Sequence, residues 1–160
     1  MLADAGAEAL IIETMMDMKE ALCAVRACKN KTQLPVIVSL TFVTPKDGGR
    51  TQMGDRASAC AAEFQKSGAD IIGANCGALA PEQMAVIVKS YWESAKLPVL
   101  AQPNAGKPRL DGDNTVFDMT LDDFARGAME CVRAGARLIG GCCGTSPAHI
   151  RALARAAAAL

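Results

Sequence analysis

Ser67-Gly68-Ala69-Asp70-Ile71-Ile72-Gly73 is the stretch that decides the fold, because the chain carries its pattern three times. Ala5-Gly6-Ala7-Glu8-Ala9-Leu10-Ile11-Ile12 precedes it and Ala134-Gly135-Ala136-Arg137-Leu138-Ile139-Gly140 follows it, each reading glycine, alanine, a polar residue and then an apolar run. The glycine suits the end of a helix, where a left-handed residue commonly stops the last turn. The apolar run behind it has the length of a strand. A second kind of run lies between the copies: Leu34-Pro35-Val36-Ile37-Val38-Ser39-Leu40 and Leu97-Pro98-Val99-Leu100-Ala101. Proline at the mouth of a strand costs no ladder hydrogen bond.

Helical spacing fills the gaps. Met15, Met18, Ala21, Leu22 and Val25 recur at three- and four-residue intervals and predict a helix over 15–29. Similar patterns predict helices over about 55–66, 81–94, 121–133 and 147–159. Pro81 and Pro147 stand where a first helical residue would, and Ser146 is a good N-cap. The pattern is β-α five times over, with strands apolar enough to be buried on both faces.

Spacing then chooses between two architectures. Strands starting near 8, 35, 69, 98 and 136 recur every 32 residues on average, close to the roughly 31 per unit of a closed (β/α)8 barrel. A doubly wound sheet is the rival, but it places a phosphate-binding glycine turn after its first strand. Here that position reads Ile12-Glu13-Thr14-Met15, without glycine. The expected fold is α/β: an incomplete TIM barrel of about five β/α units with parallel strands, occupying 1–160 as one domain.

Composition excludes several classes. Of the 160 residues, 51% are hydrophobic, enough for a core, and 17 basic residues balance 17 acidic ones. Neither a basic excess nor a like-charge run is present to hold nucleic acid or an anionic membrane. No apolar run approaches the roughly 18 residues that span a bilayer, and the opening residues Met1-Leu2-Ala3-Asp4 lack a signal-peptide layout. Seven cysteines, an odd number in a chain with a core, point to a cytoplasmic protein with free thiols rather than a secreted disulfide scaffold.

Ligand chemistry in a β/α barrel lies where strands end, and two such ends carry cysteine: Ala74-Asn75-Cys76-Gly77 and Gly140-Gly141-Cys142-Cys143-Gly144. Adjacent cysteines are poor disulfide partners, since their Cα atoms lie about 3.8 Å apart, inside the roughly 4.4 Å minimum. The flanking glycines permit a backbone that turns both sulfurs to one point. Strand ends converge at a barrel mouth, so Cys76 can join them. Three thiolates there suit Zn2+ with a fourth position open. A phosphate clamp at Gly140-Gly141 is the rival reading; it leaves the thiols unexplained. Cys23, Cys28, Cys60 and Cys131 fall in helical patterns and read as small core residues, as do the methionines. His149, the one histidine, reads as a helix-surface residue.

Gly140-Gly141-Cys142-Cys143-Gly144-Thr145-Ser146-Pro147-Ala148-His149-Ile150, taken with Gly73-Ala74-Asn75-Cys76, resembles the zinc signature of the homocysteine S-methyltransferase family. Gln102-Pro103-Asn104-Ala105-Gly106-Lys107-Pro108, with Gly112 and Thr115-Val116-Phe117, is similar to that family's cobalamin-dependent branch, and Leu10-Ile11-Ile12-Glu13-Thr14 to the fourth strand of the family barrel. The resemblance implies that this chain holds strands four to eight of an eight-stranded barrel, without the first three. It implies Cys76, Cys142 and Cys143 as zinc ligands and Glu13 as a holder of the homocysteine amino group. Asn75, Gln102 and Asn104 follow as candidate pocket-wall or substrate contacts. The activity implied is methyl transfer to the thiol of homocysteine, giving methionine. Methylcobalamin on another domain or protein is the implied donor, recharged from methyltetrahydrofolate; corrinoid and folate domains, or the missing N-terminal half-barrel, are the implied partners. Two alternatives stay open: a zinc-binding barrel fragment or complementing subunit without activity of its own, and a phosphate-ligand β/α enzyme.

Overall fold

Five parallel strands, β1 (Leu10–Met15), β2 (Val36–Leu40), β5 (Ile71–Asn75), β6 (Val99–Gln102) and β9 (Leu138–Ile139), form one sheet in that order. The structure is a computed structural model that describes residues 1–159. Because each new strand pairs with the one before it, the order never reverses, and reversal is the mark of a doubly wound sheet. Helices α1 (Met18–Lys31), α2 (Ala57–Lys66), α3 (Pro81–Ser94), α4 (Leu121–Arg133) and α5 (Pro147–Ala157) connect the strands. Each helix packs on the next. The result is an arc of a β/α barrel, as the spacing predicts.

Burial follows strand parity. Val36, Val38 and Leu40 on β2, Ile72 and Ala74 on β5, and Val99 and Ala101 on β6 pack with Val25, Phe64, Ile87 and Val88 of the helices in one core. The alternate residues Ile11, Ile37 and Ile71 are register partners across β1, β2 and β5 and join no core cluster. Ile11 is 45% exposed. One face of the sheet is thus covered by helices, while on the face that lines the inside of a closed barrel this isoleucine line lies open and Ser39, Asn75 and Leu100, nearer the strand ends, are buried. All-parallel sheets normally have both faces covered, so burial on both faces is only half realised here.

The helix ends show why prediction and structure differ by a few residues. The first helix begins at Met18, not 15: Asp17 caps it by accepting the N–H groups of Lys19 (2.7 Å) and Glu20 (3.2 Å), while Met15 closes β1. Pro81 and Pro147 are first helical residues as expected. Gly68 (φ +84°) and Gly135 (φ +116°) are left-handed just beyond α2 and α4, as the repeated motif requires. Two antiparallel hairpins went unforeseen: β3 (Phe42–Thr44) with β4 (Arg50–Thr51), and β7 (Arg109–Asp111) with β8 (Asn114–Val116). Their arms of two or three residues are too short to show an alternating pattern. Among the described residues no helix is long and apolar enough to cross a membrane.

Candidate metal centre

Cys76 follows directly on β5, and Cys142 and Cys143 stand in the loop between β9 and α5. Their Sγ atoms all lie within 4.8 Å of one another; Cys76 and Cys143 are 3.7 Å apart, and Cys142 and Cys143 3.9 Å. Sulfurs at about 2.3 Å from a tetrahedral zinc sit about 3.8 Å apart, so the spacing and the softness of the donors fit that ion. Cys143 is exposed and the other two are half-buried, so one side of the triad opens to solvent.

Backbone irregularity brings the sulfurs together. Cys76 is left-handed (φ +58°), and so is Gly77 (φ +77°), where a Cβ would lie 2.7 Å from the Phe42 carbonyl oxygen. The chain therefore turns sharply at the strand end instead of continuing outward. On the other side, Gly141 has no room for a Cβ, which would lie 2.5 Å from Thr145 Cγ2, while Thr145 Oγ1 donates to the Cys142 carbonyl at 2.6 Å. That closed turn lets adjacent cysteines face one point, which a regular strand forbids.

The segment after β6 clamps the two loops. The Cys142 N–H donates to the Pro103 carbonyl (2.9 Å) and the Ala105 N–H to the Cys143 carbonyl (2.9 Å). Asn104 is buried; its Nδ2 donates to the Gly77 carbonyl at 2.8 Å and its Oδ1 accepts the Cys143 N–H at 3.1 Å. Read from the sequence as a pocket wall, Asn104 bridges the two cysteine-bearing turns. Asn75 is wholly buried beneath them, bonded to Thr14 and Ser39 and 3.8 Å from Cys142 Sγ. Gln102, the register partner of Asn75, is half-buried, and its Oε1 has no hydrogen-bond partner among the described residues. Glu13 stands exposed near the end of β1, next to Thr14.

Burial and close packing of the sulfurs oppose ionisation of Cys143. Desolvation first, and then the neighbouring sulfurs of Cys76 and Cys142, push the Cys143 thiol up to about 11. A dication bound at the same point would favour the thiolate form of its ligands.

The remaining cysteines behave differently. Burial, then the charge of Asp55, pushes the Cys60 thiol up to about 12; Cys131, also raised to about 12 chiefly by burial, donates to the Pro81 carbonyl at 3.4 Å. These two are core residues as expected. Cys23 is exposed on the outer side of α1, contrary to the core reading, because helical spacing of small residues does not say which face is buried. Met84 and Met129 are in the core, but Met16 and Met53 are exposed. His149 is half-buried rather than on the surface: Nδ1 accepts the Ser146 N–H at 3.1 Å, Nε2 lies 3.3 Å from the Met119 carbonyl, and the ring packs edge-on against Phe124. A carbonyl can only accept, so Nε2 carries the proton and the ring caps α5.

Comparison with known proteins gives one consistent result. The sequence profile described as homocysteine S-methyltransferase matches residues 1–157. A methionine synthase of Mycobacterium leprae is 34% identical over 161 residues, covering 97% of this chain and 13% of that protein. Homocysteine S-methyltransferase 4 of Zea mays is 35% identical over 161 residues, covering 97% of this chain and 46% of that protein. Among solved structures, the metallated form of the homocysteine methyltransferase MmuM from Escherichia coli superposes with a TM-score of 0.74 at 28% identity, over 96% of this chain and 47% of that one. The chain therefore spans half or less of the length of each of these relatives.

Proposed function

The chain belongs to the homocysteine S-methyltransferase family, and from that premise we propose that it carries the metal-binding part of a zinc-dependent site that methylates the thiol of homocysteine to give methionine. The observation that carries this reading is the meeting of three sulfurs from two separate strand ends within 4.8 Å. Cys76, Cys142 and Cys143 would hold the ion. When bound, zinc would supply the positive charge that keeps a substrate thiol, ordinarily of pKa about 8.5, ionised at neutral pH.

The chain's other residues would bind and orient. Glu13, exposed near the end of β1, offers a carboxylate to the substrate ammonium group. Gln102 offers an acceptor oxygen with no partner among the described residues; a buried acceptor left unpaired costs free energy that a donor from the substrate would recover. Asn104 and the Pro103 carbonyl hold the two cysteine turns in register, so the sulfurs do not have to be gathered when substrate arrives. The methyl donor we propose is methylcobalamin on another domain or protein, on the likeness of the Gln102–Pro108 segment to the cobalamin-dependent branch.

A second reading is favoured by the open face of the sheet. Ile11, Ile37 and Ile71 form a line of apolar side chains that helices do not cover. We propose that further β/α units cover it in the active assembly, and that this chain alone binds zinc but turns over slowly. The test measures zinc content and homocysteine methylation of the purified chain, alone and with the N-terminal half-barrel of a relative. Stoichiometric zinc lost on Cys142→Ala supports the site; a chain that binds no zinc, or binds it equally after that substitution, removes it.

A further inference from the structure

The Asn75 side chain uses every hydrogen-bonding position it has. Its Oδ1 accepts the Thr14 main-chain N–H at 3.0 Å and the Ser39 hydroxyl at 2.7 Å; its Nδ2 donates to Thr14 Oγ1 at 2.8 Å and faces Cys142 Sγ at 3.8 Å. A main-chain N–H can only donate, so the Thr14 contact fixes which end of the carboxamide is oxygen. The group turned toward the sulfur is therefore an N–H. It is a donor with no other acceptor to serve, fixed in a fully buried side chain.

The surroundings are shaped to keep it there. Thr14 is left-handed (φ +60°), a conformation that β-branched residues avoid. That turn presents both its N–H and its Oγ1 to the same carboxamide. Ser39, on the neighbouring strand and also fully buried, completes the grip. Three strands' worth of structure thus aim one N–H at one of the three sulfurs. A dication with three thiolates is a monoanion, and a donor to sulfur both orients the ligand and draws off part of its charge.

We propose that Asn75 is a positioning residue of the metal centre: its Nδ2–H donates to the Cys142 thiolate, fixing that sulfur toward Cys76 and Cys143 and moderating its electron donation to the metal. This rests on the three-cysteine metal reading. It assigns Asn75 to the ligand rather than to the substrate.

The test is a near-isosteric substitution. Asn75→Asp keeps the acceptor for Thr14 and Ser39, leaves an oxygen to which the Thr14 hydroxyl can turn and donate, and removes the N–H that faces sulfur. With the fold verified by circular dichroism, zinc affinity is measured against a chromophoric chelator and the sulfur-to-metal charge-transfer band is recorded in the cobalt(II)-loaded chain. Zinc affinity is expected to fall about 10–100-fold, the range for residues supporting metal ligands, and the band to move to lower energy. A folded variant with unchanged affinity and an unmoved band overturns the proposal. If the variant does not fold, the wild-type chain loaded with NMR-active cadmium decides: coupling between the Asn75 amide proton and the metal through sulfur is expected, and no coupling overturns it. A wild-type chain that takes up no metal refutes the three-cysteine reading itself, a failure distinct from that of Asn75.

Discussion

The carboxamide oxygen of Asn104 accepts the main-chain N–H of Cys143 at 3.1 Å. The other end of the same buried group donates to the Gly77 carbonyl, so one side chain on the β6 loop holds the two cysteine turns at a fixed separation. Asn104→Ala would leave two polar main-chain groups unpaired, at about 1–3 kcal/mol for each that stays buried. We expect a loss of about 2–3 kcal/mol in thermal unfolding, together with weaker zinc uptake. A variant with wild-type melting and wild-type zinc affinity would contradict this.

Zinc should stabilise the fold, and only through three of the seven cysteines. At a free concentration about 1,000 times its dissociation constant, a ligand that binds the folded state alone adds about 4 kcal/mol. Melting should therefore shift upward with zinc in the wild type. Cys76→Ala and Cys142→Ala should lose more zinc affinity than the roughly 10–100-fold of supporting residues, whereas Cys23→Ala, on an exposed position of α1, should behave as wild type. Equal zinc shifts in all four proteins would refute the assignment.

Two left-handed glycines make a matched pair. Gly77→Ala would set a Cβ 2.7 Å from the Phe42 carbonyl, a main-chain atom that cannot swing away, whereas Gly6→Ala meets nothing within 4 Å. Both substitutions pay the left-handed cost of about 1–2 kcal/mol, and Gly77→Ala should cost more and also displace Cys76. Denaturant titrations and zinc stoichiometry of the two variants measure the difference.

The acid limb of stability should depend on Asp70. Its carboxylate accepts Lys29 Nζ at 2.7 Å and the Val36 N–H at 2.7 Å. The bond from Lys29, foremost among the causes, holds its carboxyl below the usual range. A lowered folded-state value gives stability that is present above the unfolded value of about 3.9 and is lost as pH falls through the folded one. Because the Asp70 side chain is 43% exposed, screening limits the effect to under about 1 kcal/mol. Asp70→Asn should be slightly less stable than wild type at neutral pH, and the gap should close in acid; a gap constant with pH would rule the mechanism out.

The open face of the sheet should bind a hydrophobic dye. Ile11 is the most exposed residue of the Ile11–Ile37–Ile71 line, so Ile11→Thr should lower dye fluorescence and self-association at little cost in melting temperature. A chain that binds no dye would argue against an uncovered interior.

Much of the fold was legible because the repeat unit is local. The glycine that ends a helix and the apolar run that begins a strand sit side by side in Gly68–Ile72 and Gly135–Ile139, and the prolines mark helix starts directly. The cysteine cluster could be read because glycines bracket adjacent thiols in a way no core packing requires. The supporting shell could not. Asn75, Asn104 and Thr14 lie far apart in sequence and acquire their roles only when strand register places them side by side; nothing in a lone Asn before Cys76 says that its amide faces residue 142. His149 was misread for the same reason, since its partners Ser146 and Met119 include one carbonyl thirty positions away.

The strand order has a consequence for assembly. Since the five strands follow one another without a reversal, β1 and β9 are the two edges of the parallel sheet. A polypeptide supplying further parallel strands would meet this sheet along two seams, with no need to thread between strands already paired. Association of the two would then be governed by collision rather than by prior opening of the sheet, with a rate that rises in proportion to partner concentration and shows no plateau set by unfolding.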